Sequence, residues 1–395
     1  MRNKFFIFLL IEFAFHIIVS CSTKWTQAIR SGEVAQNQFR ETVDVEIRNG
    51  LIFIPVTIRG KEYRFLFDSG APFSISNKLQ SDYAFEIVSK GKIIDSDHNK
   101  KKVKWVEVES INIGNVSFQQ QTAFIGDFKA NPILRCLEVD GIIGSNLLRH
   151  CNWTIDQEHT SLTFFNSTEE HDLKGATTIP FKTDYQFNMY IDLDVGPATV
   201  SNVLVDYGSN GSVALDDEIF KAVKDRNIIH ETLTEKGMQR SGIVGKSVDL
   251  SREIVYTDSV SIDSIHLKKV MLRTGKTVSI GNDFLSRFRV TIDWNNKTLH
   301  LIKTREAQDS ILLPGFKLGY SANEDVFVQS IVENSNAYRE GVRPKMKVIK
   351  LDTLDFENGN DFCDYVSYKL GDTIFMELID SNGHRMEYYF EQTVN

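Results

Sequence analysis

The chain has 395 residues, of which 42% are hydrophobic and 25% charged, the balance of an ordinary globular protein with two or three domains. With 24 glycines and 7 prolines it is neither collagen-like nor of low complexity. The formal net charge of −8, with acidic and basic residues interspersed, argues against nucleic acid as its main partner.

Residues 1–20 have the features of a targeting segment. A basic start precedes an apolar run over residues 5–19, which is too short and too polar for a membrane span. The run ends in small residues and Cys21, which resembles a bacterial lipoprotein signal. The resemblance implies cleavage before Cys21, a lipid anchor on its sulfur, and retention in the bacterial cell envelope at the outer membrane, facing either side. An ordinary secretory signal with an incidental cysteine is the alternative. Residues 21–40 are predicted to be a linker.

Residues 41–170 are predicted to form a β-rich unit. The stretches 53–58 and 63–67 are rich in aromatic and β-branched residues and flank a turn at Gly60, which predicts a hairpin. The second stretch runs directly into Asp68. Further strands are predicted at 106–108, 111–113 and 161–165, and a short helix at 146–150.

The chain then repeats itself once, over residues 171–305. The stretch from Phe67 to Ile75 matches the stretch that begins at Val205, 138 positions later. Two later pairs of motifs also match: Ile143-Gly144 with Ile280-Gly281, and Thr154-Ile155-Asp156 with Thr291-Ile292-Asp293. The common order predicts a duplicated domain of two mostly β lobes, joined through a polar stretch at 166–178. In the second copy a hairpin is predicted over 189–205 and a helix over 283–288.

Asp68 and Asp206 occupy the same place in the two copies, at the end of an apolar strand and two residues before Gly70 and Gly208. The strand holds the carboxylate on a rigid element, and the glycine lets the chain turn tightly with its N–H near the carboxylate. Duplication about a pseudo-two-fold axis brings the two carboxylates together. Because both cannot ionise readily, they share a proton, so one serves as a base toward water and the other as an acid.

These motifs resemble the pepsin-like and retropepsin-like aspartic peptidases over about residues 40–305. The resemblance rests on Asp68-Ser69-Gly70-Ala71, on Asp206-Tyr207-Gly208-Ser209, and on the two later Ile-Gly elements, which in that family pack behind the catalytic loops. It implies an aspartic endopeptidase that acts on a peptide or protein substrate without a cofactor. The implied catalytic residues are Asp68 and Asp206, supported by Ser69, Gly70, Tyr207 and Gly208. No cysteine or histidine has metal-ligand spacing.

Tyr207 departs from the family pattern, which has threonine or serine after both aspartates. The resemblance implies that these hydroxyls bond across the interface beneath the dyad. Ser69 keeps such a hydroxyl, but Tyr207 is longer and flat and cannot place one in the same spot. Two outcomes are open: an active site with one half of this contact, or a relaxed dyad in a catalytically inactive peptide-binding lipoprotein.

The resemblance also implies a β-hairpin flap that follows each aspartate loop. The candidate segments are residues 89–105 and residues 237–245, the second with three glycines. The first contains the basic run Lys100-Lys101-Lys102. This run reads either as a solvated turn or as a substrate-facing charge that prefers acidic peptides.

Three cysteines follow Cys21: Cys136, Cys151 and Cys363. An envelope location permits disulfides, and Cys136 could pair with Cys151. The odd number leaves at least one free thiol, most simply a buried one.

Residues 311–395 resemble a bacterial PDZ domain. Leu318-Gly319-Tyr320 matches the loop whose backbone N–H groups capture a peptide carboxylate, with the peptide added as a strand. Lys345-Met346 stands where the family has Gly-Asp. A helix is predicted at 360–368, with strands at 373–378 and 386–390. The resemblance implies an α+β domain that binds a peptide C-terminus, and the alternative is a small β domain that packs on the lobes without a groove.

Overall fold

The computed structural model describes residues 24–167, 173–226, 228–229, 231–240, 242–305, 312–321 and 325–394. The predicted signal at 1–20 and the predicted lipidation site Cys21 lie outside the described residues. Among the described residues no helix is long and apolar enough to cross a membrane.

The first part of the chain forms a nine-stranded sheet and contributes to a six-stranded one. Its strands are β1 (Glu33–Val34), β2 (Arg40–Asp44), β3 (Glu46–Arg48), β4 (Leu51–Ile58), β5 (Lys61–Asp68), β6 (Ser74–Ser76), β7 (Glu86–Ile94), β8 (Lys100–Ile113), β9 (Val116–Gly126), β10 (Gly141–Gly144), β11 (Asn152–Asp156) and β12 (Ser161–Phe165). The nine-stranded sheet has the order β1-β9-β6-β10-β5-β4-β8-β7, with β3 on β4. The predicted hairpin β4–β5 is confirmed and turns at Gly60, whose φ is 81°.

The second part of the chain supplies three strands to the six-stranded sheet and most of a sixteen-stranded one. Its strands are β13 (Thr177–Pro180), β14 (Lys182–Thr183), β15 (Met189–Val195), β16 (Ala198–Val205), β17 (Val213–Leu215), β18 (Leu233–Gln239), β19 (Val248–Thr257), β20 (Val260–Ile262), β21 (Ile265–Leu267), β22 (Val270–Thr274), β23 (Ser279–Ile280), β24 (Phe288–Asp293) and β25 (Thr298–Lys303). The six-stranded sheet has the order β13-β25-β24-β11-β12-β2, so the two parts join where β24 pairs with β11.

The C-terminal part continues the sixteen-stranded sheet. Its strands are β26 (Leu312–Leu313), β27 (Phe316–Tyr320), β28 (Val326–Val332), β29 (Lys347–Leu351), β30 (Leu354–Asp355), β31 (Thr373–Ile379), β32 (Arg385–Glu391) and β33 (Thr393–Val394). The connection is made by β18, which pairs with β28 and sets Glu235 opposite Val332. The strands predicted at 373–378 and 386–390 are therefore present as β31 and β32.

The helices are short and lie at the ends and edges of the sheets. They are α1 (Trp25–Ala28), α2 (Asn77–Tyr83), α3 (Pro132–Cys136), α4 (Ser145–Leu148), α5 (Asp217–Asp225), α6 (Asn282–Leu285), α7 (Asn336–Glu340) and α8 (Phe362–Ser367), with a 3₁₀ turn at Phe128–Ala130. The helices predicted at 146–150, 283–288 and 360–368 correspond to α4, α6 and α8. In each of these three helices the residue just before the first turn is in extended conformation.

Four apolar clusters hold the described elements together, and two of them form the main cores. The larger core draws buried side chains from both β-rich parts, from Val45 to Leu301, and the smaller core lies within the C-terminal part, from Phe316 to Phe390. Burying so many aromatic and branched side chains is the main stabilising contribution, at roughly 25 cal/mol per Å² of apolar surface. The shared larger core makes the two β-rich parts one packing unit.

Residues 24–40, predicted to be a linker, instead pack on the first β-rich part. Trp25 of α1 stacks on Trp105, with ring centroids 5.3 Å apart. Ile29 is fully buried beside Val103 and Phe124. The strand β1 adds to the edge of β9. The segment was predicted to be a linker because most of its residues are polar, and its few buried apolar side chains were not recognised.

The pairing suggested for Cys136 and Cys151 is wrong. Cys136 at the end of α3 forms a disulfide with Cys363 in α8, and their Cα atoms are 4.9 Å apart. Cys151 is a free thiol inside the larger core, and burial raises its pKa well above the ordinary value. The bond joins two elements 227 residues apart, so sequence neighbourhood gave no indication of it.

Candidate active site

Asp68 lies at the end of β5, where the strand passes into a tight loop. The neighbouring strand β10 runs parallel to β5, with Gly144 opposite Asp68. The Gly70 N–H donates a hydrogen bond of 2.8 Å to Oδ1 of Asp68. A Cβ atom at Gly144 would lie 2.2 Å from the backbone of Pro72, so only glycine lets β10 pack directly behind the loop.

Asp206 is held in the same way by β16 and β23. Its N–H donates to the carbonyl of Ile280 over 2.9 Å, and the Gly208 N–H donates to its Oδ1, also over 2.9 Å. A Cβ atom at Gly281 would lie 2.6 Å from the carbonyl oxygen of Gly211. The second aspartate loop therefore has the same support as the first: a parallel strand behind it and a glycine at the point of closest approach.

The structure brings Asp68 and Asp206 together, and each carboxylate faces the glycine of the other loop. A Cβ atom at Gly208 would lie 2.3 Å from Oδ2 of Asp68, and one at Gly70 would lie 2.7 Å from Oδ1 of Asp206. The two carboxylates are close enough that the charge of Asp206 raises the pKa of Asp68. A side chain at position 70 or 208 would collide with the opposite carboxylate, so both loops require glycine here.

Burial and mutual repulsion make this carboxylate pair hold a proton at neutral pH. Burial, followed by the charge of Asp206, raises the pKa of Asp68 to about 8. Burial also raises the pKa of Asp206, to about 6, and the Gly208 N–H and the Arg273 guanidinium limit that rise. Because the two groups titrate together, these values describe the pair, and between them the pair carries one proton.

Ser69 bridges the two aspartate loops beneath the pair. Its side chain is fully buried, and its Oγ donates to the carbonyl of Val205 over 2.6 Å. The same Oγ accepts a bond of 3.2 Å from the N–H of Tyr207. One hydroxyl thus ties the first loop to the residues on both sides of Asp206.

The Tyr207 side chain makes no equivalent hydrogen bond to the first aspartate loop. Its ring is fully buried and packs edge-on against Phe67, with ring centroids 5.3 Å apart. Its hydroxyl has no hydrogen-bond partner among the described residues. The carbonyl of Tyr207 accepts a 2.7 Å bond from Nδ2 of Asn282, which fixes the loop from the opposite side. The sequence left two outcomes open. In the structure the hydroxyl contact beneath the aspartates is made by Ser69 alone, and the two carboxylates still lie together.

The two segments expected to form flaps are both β-hairpins, and their tips meet. In the first, β7–β8, Ser89 pairs with Trp105. The loop between β18 and β19 donates backbone N–H groups to this tip: Val244 to Oδ2 of Asp95 over 3.2 Å, and Gly242 to Oδ2 of Asp97 over 3.0 Å. Neither aspartate was singled out in the sequence, where each looks like an ordinary turn residue.

The tip of the second hairpin also packs on the first β-rich part. Ile243 packs against the apolar cluster that contains Phe128, against which Ala71 of the first aspartate loop also packs. It packs as well against the cluster that contains Trp105. Apolar contacts therefore anchor the joined tips on the first β-rich part.

The basic run lies on strand β8 of the first hairpin. The Lys100 and Lys102 side chains are exposed, and Lys101 is 3.7 Å from Oδ2 of the partly exposed Asp127. The run is therefore a largely solvent-exposed part of a strand and not a turn. Among the described residues no group of three or more histidine, cysteine, aspartate or glutamate side chains could hold a metal ion.

The predicted peptide-binding residues Leu318, Gly319 and Tyr320 lie together on β27. The N–H of Leu318 donates to the Tyr365 hydroxyl of α8 over 3.4 Å. Arg135 of α3 lies over the Tyr320 ring, 4.6 Å from its centroid. The strand thus faces two helices of the same chain, α8 and α3, which the disulfide joins.

Part of the chain is similar to known proteases. Residues 54–147 match a family model described as aspartyl protease. The match contains Asp68, Ser69, Gly70 and Gly144 and ends before Asp206. No curated protein matches the chain. The match supports an aspartic peptidase family and suggests peptide hydrolysis, and it rests on the part of the chain that contains the first aspartate.

Proposed function

We propose that this protein is an aspartic endopeptidase in which Asp68 and Asp206 activate one water molecule for peptide-bond hydrolysis. The observation that carries the proposal is the close approach of two buried carboxylates, each of which lies against the glycine of the other loop. A structural ion pair would combine opposite charges, whereas two acids in contact are stable only when they share a proton. Buried acid pairs of this kind are typical of sites for acid–base chemistry.

The environment gives the two carboxylates different roles. Asp206 is the more readily ionised, because a backbone N–H and a nearby guanidinium stabilise its charge, and we assign it as the base. Asp68 keeps the shared proton and donates it to the carbonyl oxygen of the substrate. As water gives a proton to Asp206, its oxygen bonds to the carbonyl carbon. The C–N bond then breaks and the amine leaves with a proton from the pair.

The two joined hairpin tips serve in this proposal as the cover of the cleft. Their contacts are hydrogen bonds between one loop and two aspartates, together with the packing of Ile243, so they open without unfolding a core. Closing them over a bound peptide excludes bulk water from the carboxylate pair, which strengthens every electrostatic interaction there.

We also propose that the protein is lipid-anchored through Cys21 and that its C-terminal part is a PDZ-like domain for a peptide C-terminus. The anchor proposal rests on the sequence pattern before Cys21. The PDZ proposal is supported by β27, which among the described residues pairs with no strand but β28 and whose Leu318 N–H reaches only the Tyr365 hydroxyl. Incorporation of radiolabelled palmitate, with Cys21→Ser as control, tests the anchor. Failure of the label to enter the wild-type chain would reject it.

The central test is cleavage of a peptide library by the mature chain beside Asp68→Asn and Asp206→Asn. We expect internal cleavage by the wild type and loss of at least about a thousandfold in kcat/KM in each variant, because each removes one partner of the shared proton. Either variant cutting at the wild-type rate would reject the proposed dyad.

A noncatalytic peptide-binding lipoprotein is the second candidate, and the one-sided Ser69–Tyr207 contact favours it. Peptide binding by a wild-type chain that cuts nothing between pH 4 and pH 8 would establish this candidate in place of the enzyme.

A further inference from the structure

A single arginine lies beside the carboxylate pair. Arg273 is on β22, between Ala214 of β17 and Ile254 of β19. Its guanidinium lies against Gly211, where a Cβ atom would come within 2.7 Å of Nη2. Gly211 belongs to the loop that begins at Asp206, so a permanent positive charge lies next to this loop.

The guanidinium of Arg273 has no hydrogen-bond acceptor among the described residues, although it carries five N–H donors. The charges that act on it are those of Arg252, Glu235 and Asp206. Burial lowers its pKa to about 10, so it stays protonated at neutral pH. Arg273 is half-buried, and a guanidinium without a protein acceptor beside a pair of reactive carboxyl groups can receive a substrate carboxylate.

Glu235 cannot be that acceptor, because other groups already occupy it. Its carboxylate lies 3.0 Å from Nζ of Lys317 and 3.3 Å from Nε of Arg252, and it accepts a 2.5 Å hydrogen bond from Oγ of Ser330. Burial opposes its ionisation, but the charges of Lys317 and Arg252 prevail and lower the pKa of Glu235 to about 2. Glu235 thus serves the junction between β18 and the C-terminal part.

The local charges leave one positive charge uncompensated. Arg252, Arg273 and Lys317 carry three positive charges against the single negative charge of Glu235. The carboxylate pair, with one proton between its two members, supplies one more negative charge. Within this group Arg252 is bonded to Gln239 and paired with Glu235, whereas Arg273 has no acceptor among the described residues. A carboxylate fits it best, since the planar fork of arginine binds both oxygens at once.

We propose that Arg273 binds a carboxylate of the peptide substrate next to the scissile bond, and so selects acidic peptides. This proposal deepens the endopeptidase function and rests on it. The carboxylate comes either from an aspartate or glutamate side chain or from the free C-terminus of a short peptide.

The first experiment compares cleavage of matched peptides. The first set consists of amidated decapeptides built from alanine, leucine and phenylalanine. Each peptide carries one glutamate, and its position differs from peptide to peptide. The second set is identical but has glutamine in place of the glutamate. We expect the wild type to prefer one glutamate position by about 30-fold or more in kcat/KM over the glutamine partner. In Arg273→Met the ratio falls to about one, and in Arg273→Lys it is intermediate. A ratio unchanged by Arg273→Met would overturn the proposal.

The two carboxylate sources are separated by a third peptide set with glutamine and a free C-terminal acid. If the terminal carboxylate is recognised, the free acid is preferred over the amide and Arg273→Met abolishes that preference. If a side chain is recognised, the glutamate side chain alone gives the preference. A wild-type enzyme that shows neither preference would reject the proposal.

The second experiment measures binding and does not depend on cleavage. Fluorescein-labelled peptides of the same sets are titrated against Asp68→Asn and against Asp68→Asn/Arg273→Met, with fluorescence anisotropy as the readout. We expect the second variant to bind the preferred acidic peptide at least about tenfold more weakly and its neutral partner equally. Equal affinity of both variants for the acidic peptide would overturn the assignment, whether or not the wild type cuts peptides.

The control variant is Arg287→Met, which removes another partly buried arginine of the same part of the chain. Arg287 donates to the carbonyls of Lys268 and Lys269, so its guanidinium already has protein acceptors. The glutamate preference is expected to survive in this variant. If Arg287→Met also lost the glutamate preference, the effect of Arg273→Met would reflect general damage to the protein, and the specific role of Arg273 would be rejected.

Discussion

Thr154 and Thr291 lie opposite each other where β11 pairs with β24, and their Oγ1 atoms are 2.8 Å apart. The sequence repeat makes these two residues equivalents, 137 positions apart. The contact therefore lies where the two β-rich parts meet and is made by the same residue type from each. It is the one hydrogen bond between side chains in this central register, which makes it a direct probe of the junction.

Replacing either threonine with valine keeps the shape and removes one hydroxyl. We expect Thr154→Val and Thr291→Val each to lower the free energy of unfolding by about 1 kcal/mol, because the remaining hydroxyl loses its partner in a half-buried place. The double variant should lose less than the sum of the two. Urea unfolding of the four proteins measures this coupling, and strictly additive losses would show that the contact contributes nothing.

The shared proton sets the pH range of activity. Catalysis needs one ionised and one protonated carboxylate. Below pH 6 both members of the pair are protonated and the base is lost, and above pH 8 both are ionised and the acid is lost. We expect a plot of kcat/KM against pH to be bell-shaped, with its two half-maximal points near pH 6 and pH 8. The values are measured with one fluorogenic peptide. An activity optimum below pH 5 would contradict the raised pKa values that burial gives the two carboxylates.

The same raised pKa values make the pair unfavourable for folding at high pH. Both groups have a higher pKa in the folded protein than the ordinary value of 3.8. The folded chain therefore binds more protons, and the stability linked to them is complete below about pH 4 and lost as the pH rises through 6 and 8. Since one pKa unit corresponds to about 1.4 kcal/mol, Asp68→Asn should be more stable than wild type by a few kcal/mol at pH 8. Thermal unfolding at pH 4, where the difference should vanish, is the control.

Ser69 and Tyr207 differ in how their hydroxyls are used. Ser69→Ala would leave the carbonyl of Val205 and the N–H of Tyr207 without their buried partner, and we expect a loss of about 1–3 kcal/mol together with lower kcat. Tyr207→Phe removes a buried hydroxyl that bonds to none of the described residues, and we expect it to be neutral or stabilising by up to about 1 kcal/mol. Chemical denaturation of both variants decides the point. A larger loss in Tyr207→Phe than in Ser69→Ala would show that the tyrosine hydroxyl has a partner after all.

The disulfide between Cys136 and Cys363 closes a loop of 227 residues. Because a cross-link over so long a loop restricts the unfolded chain, we expect Cys136→Ser/Cys363→Ser to be less stable by up to about 5 kcal/mol. Thermal unfolding of wild type with and without reductant should show the same difference. Cys151→Ser is the matched control, and its unfolding temperature should respond to reductant as the wild type does.

The carboxylate pair could be predicted from the sequence because each aspartate has a local signature that the repeat shows twice. Arg273 could not, because its role depends on the pairing of β22 with two strands distant in the sequence. The partner of Cys136 was hidden for the same reason, since α3 and α8 meet only in the folded chain. Trp25 and Ile29 were missed because two apolar side chains in a polar stretch give no periodic pattern.

The pairing of β18 with β28 gives the second hairpin two attachments. One end of this hairpin carries Ile243, which packs against the clusters that contain Phe128 and Trp105, and the other is a strand of a sheet that continues into the C-terminal part. The hairpin that we propose as part of the cover and the C-terminal part therefore share one continuous sheet.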